Sequence, residues 1–543
     1  MEGRKPTLPF DPLALVQAAT ESAVGLAARP AELLTVQLEA AKQWSDFWTG
    51  AMTGKANEKP RDRRFSAPEW QDDPYYRAIR DAYLLASKQL RETVDKSAGN
   101  GAHGAMARFL LDQYLNAISP SNFAATNPDV VKRTKETGGA NLVQGFLHLL
   151  EDVGSGKGIV QRRTDPTAFE KGKTVAATPG AVVYENSLFQ LIQYDPATDK
   201  VAAEPLLYVP PLVNRYYMID LVPRQSMVKW LVDEGRTVFV ISWVNPGAEH
   251  KDKDVGDYVL GGIVEAIGAV RERTGNAPDL FSFCLGGTLV AIALAWLAAQ
   301  DRADEANSAT LIGSLVDFSD MRDWAAFVHE SHLSALEEHL ERQGYADSLE
   351  LQRLFAAMRA NDLIWASVVN HYLLDRPAPP SDLLYWFEDG ARIPAAFLKS
   401  YNRELLLENR LKDPAGFQVG DVAIDLAEIA TPTLIIALKD DHVSAWDAVY
   451  RGARHLRAEF ILGGSGHNAG VINPPAANKH GYWTNDRQPA DAQQWLETAT
   501  RHEGSWWPWW TQWLSEKGSG KTVAARRPKD AIEPAPGRYA MMP

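Results

Sequence analysis

Cysteine is almost absent from this sequence, since the 543 residues include only one, Cys284. One thiol cannot form an internal disulfide or a Cys-x-x-Cys site, so we expect a reducing, cytoplasmic compartment. Positive charge is also scarce. The 69 acidic side chains outnumber the 56 basic ones and give a net charge of −13. This balance argues against nucleic acid as a partner, because phosphate binding needs clustered lysine and arginine.

Long hydrophobic runs are missing too. The strongest apolar stretch, near 289–299, is too short to span a bilayer and predicts a buried helix, so we expect no transmembrane segment. The first 20 residues lack the apolar core of a secretory signal. With 45% hydrophobic residues the composition is nevertheless globular, and the length predicts two domains or one large domain with an extension.

Two kinds of hydrophobic pattern divide the chain. Residues 1–174 place apolar side chains at spacings of three and four among good helix formers, which predicts a helical N-terminal domain. From 175 onward, short runs rich in Val, Ile and Leu alternate with helical stretches. This alternation predicts an α/β fold, with a mostly parallel sheet and helices on both faces. The predicted strands lie in the runs 205–211, 237–243, 280–283, 310–318, 431–438 and 458–464.

One long interval interrupts the alternation. Residues 319–430 separate two predicted strands and are largely helical in pattern, which predicts an inserted lid or cap subdomain; a packing module without gating is the alternative. The sheet domain would then comprise 175–318 and 431–513. The C-terminal tail 514–543 is rich in glycine, proline and charge, which predicts disorder or a loosely bound arm.

The position of Cys284 is more informative than its rarity. A lone cysteine is most often a small buried hydrophobe. Here it follows a predicted strand and precedes Gly286, Gly287 and a predicted helix. That layout is typical of the nucleophile elbow of α/β-hydrolases, Gly-x-Ser-x-Gly, with cysteine in place of serine. The N-terminus of the following helix would direct N–H groups at a thiolate and at an oxyanion.

A nucleophile at such an elbow needs a base, and the base needs an orienting acid. In α/β-hydrolases the acid and then the histidine follow the nucleophile, on loops after late strands. Asp441 follows the run 431–438, and His467 follows 458–464. Acidic turns and structural histidines are common in proteins. Here, however, the cysteine, the aspartate and the histidine each follow a predicted strand in the order typical of the fold, which favours a catalytic triad. A thiol exchanges reversibly with thioesters, which favours an acyltransferase over a hydrolase.

The chain resembles the class I polyhydroxyalkanoate synthases, which make bacterial storage polyester from (R)-3-hydroxyacyl-CoA. The resemblance covers most of the chain and implies an α/β-hydrolase fold with a cap insertion and a helical N-terminal domain. The segments that carry it include SPSNFAATNP (119–128), YVPPLVNRYYMIDL (208–221), FCLGGT (283–288), TPTLIIALKDDHVSAW (431–446), GGSGHNAGVINPP (463–475) and GSWWPWW (504–510).

The resemblance also implies roles for individual residues. Cys284 would accept the acyl group and His467 would deprotonate it. Asp441 would complete the triad and help to activate the 3-hydroxyl of the substrate. The backbone N–H of Leu285 is the expected first oxyanion donor, and that of Val213 the second.

Further positions match the family less decisively. His442, Asn214 and Trp386 occupy characteristic places and are candidates for substrate contacts, with structural support as the alternative. Two residues depart from the family pattern. Ser282 stands where the elbow usually has glycine, and we expect slight repacking there. Phe387 stands where asparagine is usual, and we expect it to affect the acyl preference.

The function that the resemblance implies is polymerisation of short (R)-3-hydroxyacyl-CoA units, such as 3-hydroxybutyryl-CoA, with release of CoA. The CoA thioester is a substrate, and neither a metal nor a cofactor is expected. The implied partners are the growing polyester chain, a second copy in a homodimer, and granule-associated proteins such as phasins. The implied location is the surface of polymer granules in the cytoplasm.

Two other functions are compatible with the same residues. A cysteine-nucleophile thioesterase or esterase of the same fold is the main alternative function, and an inactive granule scaffold is another. The tryptophan cluster within 506–513 would either anchor a terminal helix to the core or contact polymer.

Overall fold

The computed structural model describes residues 30–53, 62–97, 99, 101–154 and 163–543. The chain divides into two compact units. The smaller unit comprises Met1–Pro166, Ala325–His332 and Gln352–Ser381, and the larger one comprises Thr167–Trp324, Leu333–Leu351 and Asp382–Pro543. The predicted helix within residues 1–29 lies outside the described residues.

The smaller unit is helical where it is described. Local capping explains one start well: Asn127 accepts hydrogen bonds from the N–H groups of Asp129 and Val130, and Pro128 opens the helix. In the described ranges, no helix is both long and apolar enough to cross a membrane. Among the described residues before 163, the α-helices are Pro30–Thr53, Glu69–Asp72, Pro74–Ser97, Ala102–Ala117, Pro128–Glu136 and Ala140–Gly154.

The interval 319–430, predicted to be an inserted lid or cap, is divided between the two units. Part of it packs within the smaller unit, where the Asn141 amide donates to the Leu373 carbonyl (2.6 Å) and Tyr372 donates to Asp152 (2.8 Å). The remainder belongs to the larger unit. The sequence pattern could not show this division, because helical periodicity does not indicate which neighbour covers the apolar face.

A large sheet organises the larger unit. Within the described residues its 11 strands are β1 Gly180–Glu185, β2 Phe189–Tyr194, β4 Leu206–Val209, β5 Val238–Trp243, β6 Asp279–Phe283, β7 Ser308–Ile312, β12 Thr433–Leu438, β13 Glu459–Gly463, β14 Tyr482–Thr484, β15 Thr500–His502 and β17 Glu533–Pro534. They lie side by side in the order β15-β14-β13-β12-β7-β6-β4-β5-β2-β1-β17. The central strands, from β5 through β4, β6, β7 and β12 to β13, pair in parallel, and the flanking strands are antiparallel.

Smaller strand pairs and helices surround this sheet. The paired short strands are β3 Lys200–Ala202 with β16 Thr522–Ala524, β8 Tyr345–Ala346 with β9 Ile393–Pro394, and β10 Phe417–Val419 with β11 Val422–Ile424. The α-helices of five or more residues after residue 163 are Met227–Asp233, Glu265–Thr274, Leu285–Ala299, Glu330–Gln343, Ser348–Met358, Asp382–Glu388, Ala395–Ser400, Trp446–His455, Ala492–Thr498, Trp507–Lys517 and Gly537–Met541, with π-helical segments at Tyr258–Val264, Asn361–Trp365, Val369–Leu373 and Tyr401–Leu407.

Both faces of the central sheet are buried, which is why its strands appear as continuous apolar runs. Along β4, Leu207 and Val209 join one core cluster, whereas Leu206 and Tyr208 join the cluster on the opposite face. The helix Leu285–Ala299 packs into the first cluster. Parallel strands buried between helices on both sides form the α/β-hydrolase architecture, and the predicted fold class is confirmed.

Two local predictions are wrong. The run 310–318 was expected to be strand, but β7 ends at Ile312 because Gly313 turns the backbone to a φ of 56°. The tail 514–543 is ordered rather than loose. It supplies β16 and β17 to two sheets, and Tyr539 within it is buried. Composition misled here because backbone pairing needs few apolar side chains.

Candidate active site

Cys284 lies at the bend between β6 and the helix Leu285–Ala299, which we call the elbow helix. Its backbone has φ 53° and ψ −127°, a conformation that costs energy for any residue except glycine. Two hydrogen bonds hold it there: the Cys284 N–H donates to the Ile312 carbonyl (2.9 Å), and the Gly287 N–H donates to the Cys284 carbonyl (2.9 Å). The thiol is half-buried at this bend.

The glycines that follow allow a close approach of the elbow helix to its neighbours. A Cβ atom at Gly286 would collide with the carbonyl oxygen of Val209 at the end of β4. A Cβ atom at Gly287 would collide with the hydroxyl of Ser314, just after β7. The helix N-terminus can therefore sit directly above the sheet, where its N–H groups and positive dipole end face the Cys284 region.

Ser282 replaces the first glycine of the usual elbow without leaving a polar group unpaired. The residue is fully buried in β6, and its hydroxyl donates to the Thr310 carbonyl of β7 (3.3 Å). Paired in this way, the hydroxyl carries little desolvation cost.

His467 and Asp441 meet beyond the ends of two adjacent strands. β12 and β13 are parallel, and Leu438 pairs with Gly463 at their carboxyl ends, so the loops that follow emerge at the same edge. The His467 Nδ1 lies 2.6 Å from Asp441 Oδ2, and both side chains are buried. This bond leaves Nε2 of His467 for the sulfur of Cys284, whose charge acts on the imidazole.

The surroundings of the pair fix its geometry. The second oxygen of Asp441 accepts from the N–H groups of Val443 (2.8 Å) and Ser444 (2.9 Å). The imidazole ring of His467 packs against Phe283, with ring centroids 4.6 Å apart. The neighbouring carboxylate of Asp440 is exposed, so the structure selects Asp441 as the partner of the histidine.

The charge state of His467 follows from these contacts. Burial lowers the pKa of an imidazole, but the adjacent Asp441 carboxylate and the Cys284 sulfur outweigh burial and raise the pKa of His467 to about 10. The protonated imidazole is thus stabilised beside the sulfur. An imidazole with a raised pKa is a stronger base toward a neighbouring thiol, and a thiolate is a stronger nucleophile than a thiol.

The tryptophan cluster supports the histidine loop. Trp506 donates its indole N–H to the Gly470 carbonyl (2.9 Å), and Trp507 donates to the Val471 carbonyl (3.0 Å), both shortly after His467. Both indoles are fully buried. The prediction that the cluster anchors a terminal helix to the core is confirmed, and this anchor reaches the active-site loop.

The expected oxyanion donors lie at one edge of the sheet. Leu285 is the first residue of the elbow helix. Val213 lies in the loop after β4, the strand that pairs with β6 through Val209 and Ser282 at their carboxyl ends. The Val213 carbonyl accepts from the Ala391 N–H (2.9 Å).

The three candidates for substrate contacts differ in accessibility. His442 is half-buried beside Asp441. Asn214 is half-buried, and its amide donates to the carbonyls of Trp386 and Phe387 (3.4 Å each). Trp386 is 3% exposed, packs in the core and donates its indole N–H to the Arg215 carbonyl (2.7 Å). The structural explanation is therefore favoured for Trp386.

Two tyrosines near the sulfur were not anticipated from the sequence. Burial, followed by the charge at Cys284, raises the pKa of the phenol groups of Tyr208 and Tyr401 well above the usual value. The Thr288 hydroxyl, on the first turns of the elbow helix, partly opposes this rise in the pKa of Tyr401. Tyr208 lies inside a core strand and Tyr401 in the cap interval, and neither belongs to a catalytic motif that would have marked it.

The chain is similar to several known proteins. The family model described as "Poly-beta-hydroxybutyrate polymerase (PhaC) N-terminus" matches residues 61–231. A poly(3-hydroxyalkanoate) polymerase subunit of Cupriavidus necator is 41% identical over 533 residues, covering 96% of this chain and 90% of the relative. A poly(3-hydroxyalkanoate) polymerase of Methylorubrum extorquens is 38% identical over 531 residues, covering 94% of this chain and 87% of that relative. Among solved structures, a thioesterase domain from the curacin biosynthetic pathway aligns with 55% of this chain and 96% of that domain, at 12% identity and a TM-score of 0.33.

Proposed function

The chain belongs to the poly(3-hydroxyalkanoate) polymerase family, and we propose that it polymerises (R)-3-hydroxyacyl-CoA through an acyl-enzyme on Cys284. One observation carries the mechanistic part of this proposal. A buried carboxylate lies 2.6 Å from an imidazole whose pKa is raised by that carboxylate and by the chain's one cysteine, which lies at a strained strand-to-helix bend. That constellation supplies a base for the thiol, and removal of the thiol proton gives the stronger nucleophile.

Acylation begins with transfer of the thiol proton of Cys284 to Nε2 of His467. The thiolate attacks the thioester carbonyl of the substrate, and the carbonyl oxygen becomes an oxyanion that accepts hydrogen bonds from the N–H groups of Leu285 and Val213. Collapse of the tetrahedral intermediate breaks the bond to CoA, and the CoA sulfur takes the proton from the imidazolium. The acyl group is then held on Cys284 as a thioester.

Elongation uses the 3-hydroxyl of a second hydroxyacyl-CoA. His467 takes the hydroxyl proton, with Asp441 stabilising the imidazolium and helping to activate that hydroxyl, and the oxygen attacks the acyl thioester on Cys284. The new ester bond forms as Cys284 leaves as a thiolate. The lengthened CoA ester then reacylates Cys284. Each step exchanges one acyl acceptor for another, so the cycle requires no redox cofactor and no metal.

Purified protein incubated with (R)-3-hydroxybutyryl-CoA tests this proposal. Release of CoA together with rising turbidity supports polymerisation of this short substrate. Release of CoA with free 3-hydroxybutyrate only would assign the chain as a thioesterase instead. Cys284→Ala should abolish CoA release; unchanged release from that variant would refute the acyl-enzyme. A series of acyl-CoA lengths, repeated with Phe387→Asn, tests the preference for short units and the influence of Phe387.

The proposal includes binding to the surface of polyester granules through the helix Ala140–Gly154. One face of this helix is apolar and about half exposed, whereas Gly145 on the opposite face packs against the backbone of Tyr372. An insoluble polyester is a surface that such an apolar stripe can cover. The stripe consists of Val143, Phe146, Leu147, Leu150 and Val153.

Sedimentation with polyester particles tests this surface. Replacing Phe146 and Leu150 together by serine should lower the bound fraction while CoA release from soluble substrate is retained. Leu349→Ser removes an equally exposed leucine from the larger unit and serves as the control. Equal loss from the control would contradict the proposed surface. The proposal extends to a homodimer and to granule-associated proteins such as phasins as partners, which mass measurements with and without a purified phasin would detect.

A further inference from the structure

The loop after β4, residues 210–215, is held along one side by the segment 386–391. The indole of Trp386 donates to the Arg215 carbonyl (2.7 Å), and the Ala391 N–H donates to the Val213 carbonyl (2.9 Å). Asn214 and Gly390 form an antiparallel bridge between these bonds. The loop that carries the expected second oxyanion donor is thus paired almost as a strand would be.

The Arg215 side chain fixes the end of this loop from another direction. Its guanidinium is buried and donates to the Tyr539 carbonyl (3.0 Å) and the Met542 carbonyl (2.6 Å). Burial lowers the pKa of Arg215, and the carboxylate of Asp389, 3.8 Å from its Nε, partly opposes that effect. A buried cation tolerates little displacement, because moving it would leave its donors unpaired.

The segment 539–543 is itself anchored on the sheet. The Tyr539 N–H donates to the Gln190 side chain of β2 (3.0 Å), and its hydroxyl donates to the Asn186 carbonyl (2.9 Å). Farther along, Asn245 donates to the Pro543 carbonyl (2.5 Å) and accepts from the Arg392 N–H (2.9 Å). The acceptors that hold Arg215 are therefore rigidly placed, although they lie far from Cys284 along the sequence.

We propose that Arg215 is a positioning residue. Its hydrogen bonds to the carbonyls of Tyr539 and Met542 hold the loop 210–215 so that the Val213 N–H faces the oxyanion. This inference rests on the proposed acylation of Cys284. Oxyanion donors act only within hydrogen-bond distance of the developing charge, and a displacement of about 1 Å costs on the order of 100-fold in rate. Residues 539–543 are then part of the active-site scaffold.

Two reactions of the Cys284 sulfur distinguish a role of Arg215 in positioning the loop 210–215 from a role in stabilising the fold. Alkylation of Cys284 by iodoacetamide depends on the thiolate and His467 but forms no oxyanion. Single-turnover acylation by (R)-3-hydroxybutyryl-CoA needs both the thiolate and the oxyanion donors. A change confined to the loop should slow the second reaction and leave the first unchanged.

The variants are Arg215→Gln, Arg215→Lys and a deletion of residues 539–543. We expect acylation to fall by roughly 100-fold in Arg215→Gln and in the deletion, with alkylation within about twofold of the wild type. The acylation rate of Arg215→Lys should lie between those of Arg215→Gln and the wild type, because one ammonium cannot hold two carbonyls in the fork geometry of arginine. Combining Arg215→Gln with the deletion should lower the acylation rate little further, since both changes remove the same contact.

The control is Arg273→Gln. This arginine also donates to a carbonyl of the C-terminal segment, that of Lys529 (3.1 Å), but has no contact with the loop 210–215 among its described hydrogen bonds. Its acylation rate should be unchanged. Unchanged acylation in the Arg215 variants, or parallel losses of acylation and alkylation, would overturn the inference. If Arg215→Gln does not fold, the deletion and Arg215→Lys decide. Failure of the wild type to acylate would instead refute the proposed function, and this inference with it.

Discussion

Replacing Asp441 by asparagine should deprive Cys284 of much of its thiolate. Asparagine keeps the shape of the side chain and removes the charge that lies 2.6 Å from Nδ1 of His467. The pKa of His467 is raised from 6.5 to about 10, a shift of roughly 3.5 pH units, which at 1.36 kcal/mol per unit is about 5 kcal/mol. Cys284 contributes to this shift as well, so we assign on the order of 2 kcal/mol to Asp441.

That free energy corresponds to roughly a 30-fold change in the ratio of thiolate–imidazolium to neutral pair. Alkylation of Cys284 by iodoacetamide at neutral pH measures this ratio directly, because the thiolate is the reacting species. We expect Asp441→Asn to react about 10- to 100-fold more slowly than the wild type, and its acylation by hydroxyacyl-CoA to fall at least as far. Loss of the preferred imidazole tautomer adds to the second effect.

Asp440→Asn is the matched control, because it removes the same charge from the adjacent, exposed position. Both rates should stay close to those of the wild type in this variant. The reasoning fails if Asp441→Asn alkylates at the rate of the wild type, or if the two asparagine variants behave alike.

Three further predictions concern stability. Gly286→Ala should destabilise the fold by about 1–3 kcal/mol in urea unfolding, because its Cβ collides with the backbone after β4, whereas Gly268→Ala, with open space around it, should not destabilise. The raised pKa of His467 means that its pairing stabilises the fold fully below pH 6.5 and loses that effect as the pH approaches about 10. The difference in free energy of unfolding between the wild type and His467→Gln should therefore shrink as the pH rises from 6.5 to about 10. A difference that stays constant over this pH range would contradict the prediction. Trp510→Ala should cost about 3–5 kcal/mol and Trp509→Ala clearly less, since only the former is fully buried.

The central sheet was predictable because its strands are buried on both faces. β4, β5, β12 and β13 fall within predicted runs and β6 begins one residue before its run, since a strand between two helical layers needs apolar residues almost throughout. The hairpin of β1 and β2 was missed, although β2 is buried along its whole length. Polar residues such as Gln190 and Gln193 interrupt it, and their amides are paired with groups that the sequence cannot place.

The proposed catalytic residues were named from their order along the chain, and the structure brings all three to the same edge of the sheet. Cys284, Asp441 and His467 each follow a parallel strand, and the carboxyl ends of parallel strands share one edge of the sheet. Arg215 was not singled out, although it stands in a quoted motif. Its partners are backbone carbonyls in a tail whose composition predicted disorder, and composition carries no information on such contacts.

The central claim is that substrate is carried as a thioester on the sulfur of Cys284, and intact-protein mass spectrometry tests it most directly. The wild type, quenched in acid shortly after mixing with (R)-3-hydroxybutyryl-CoA, should gain the mass of a hydroxybutyryl group or its oligomers, released by hydroxylamine and mapped to the peptide that contains Cys284. Turnover with no covalent adduct at any quench time, or an adduct that persists in Cys284→Ala, would contradict the account.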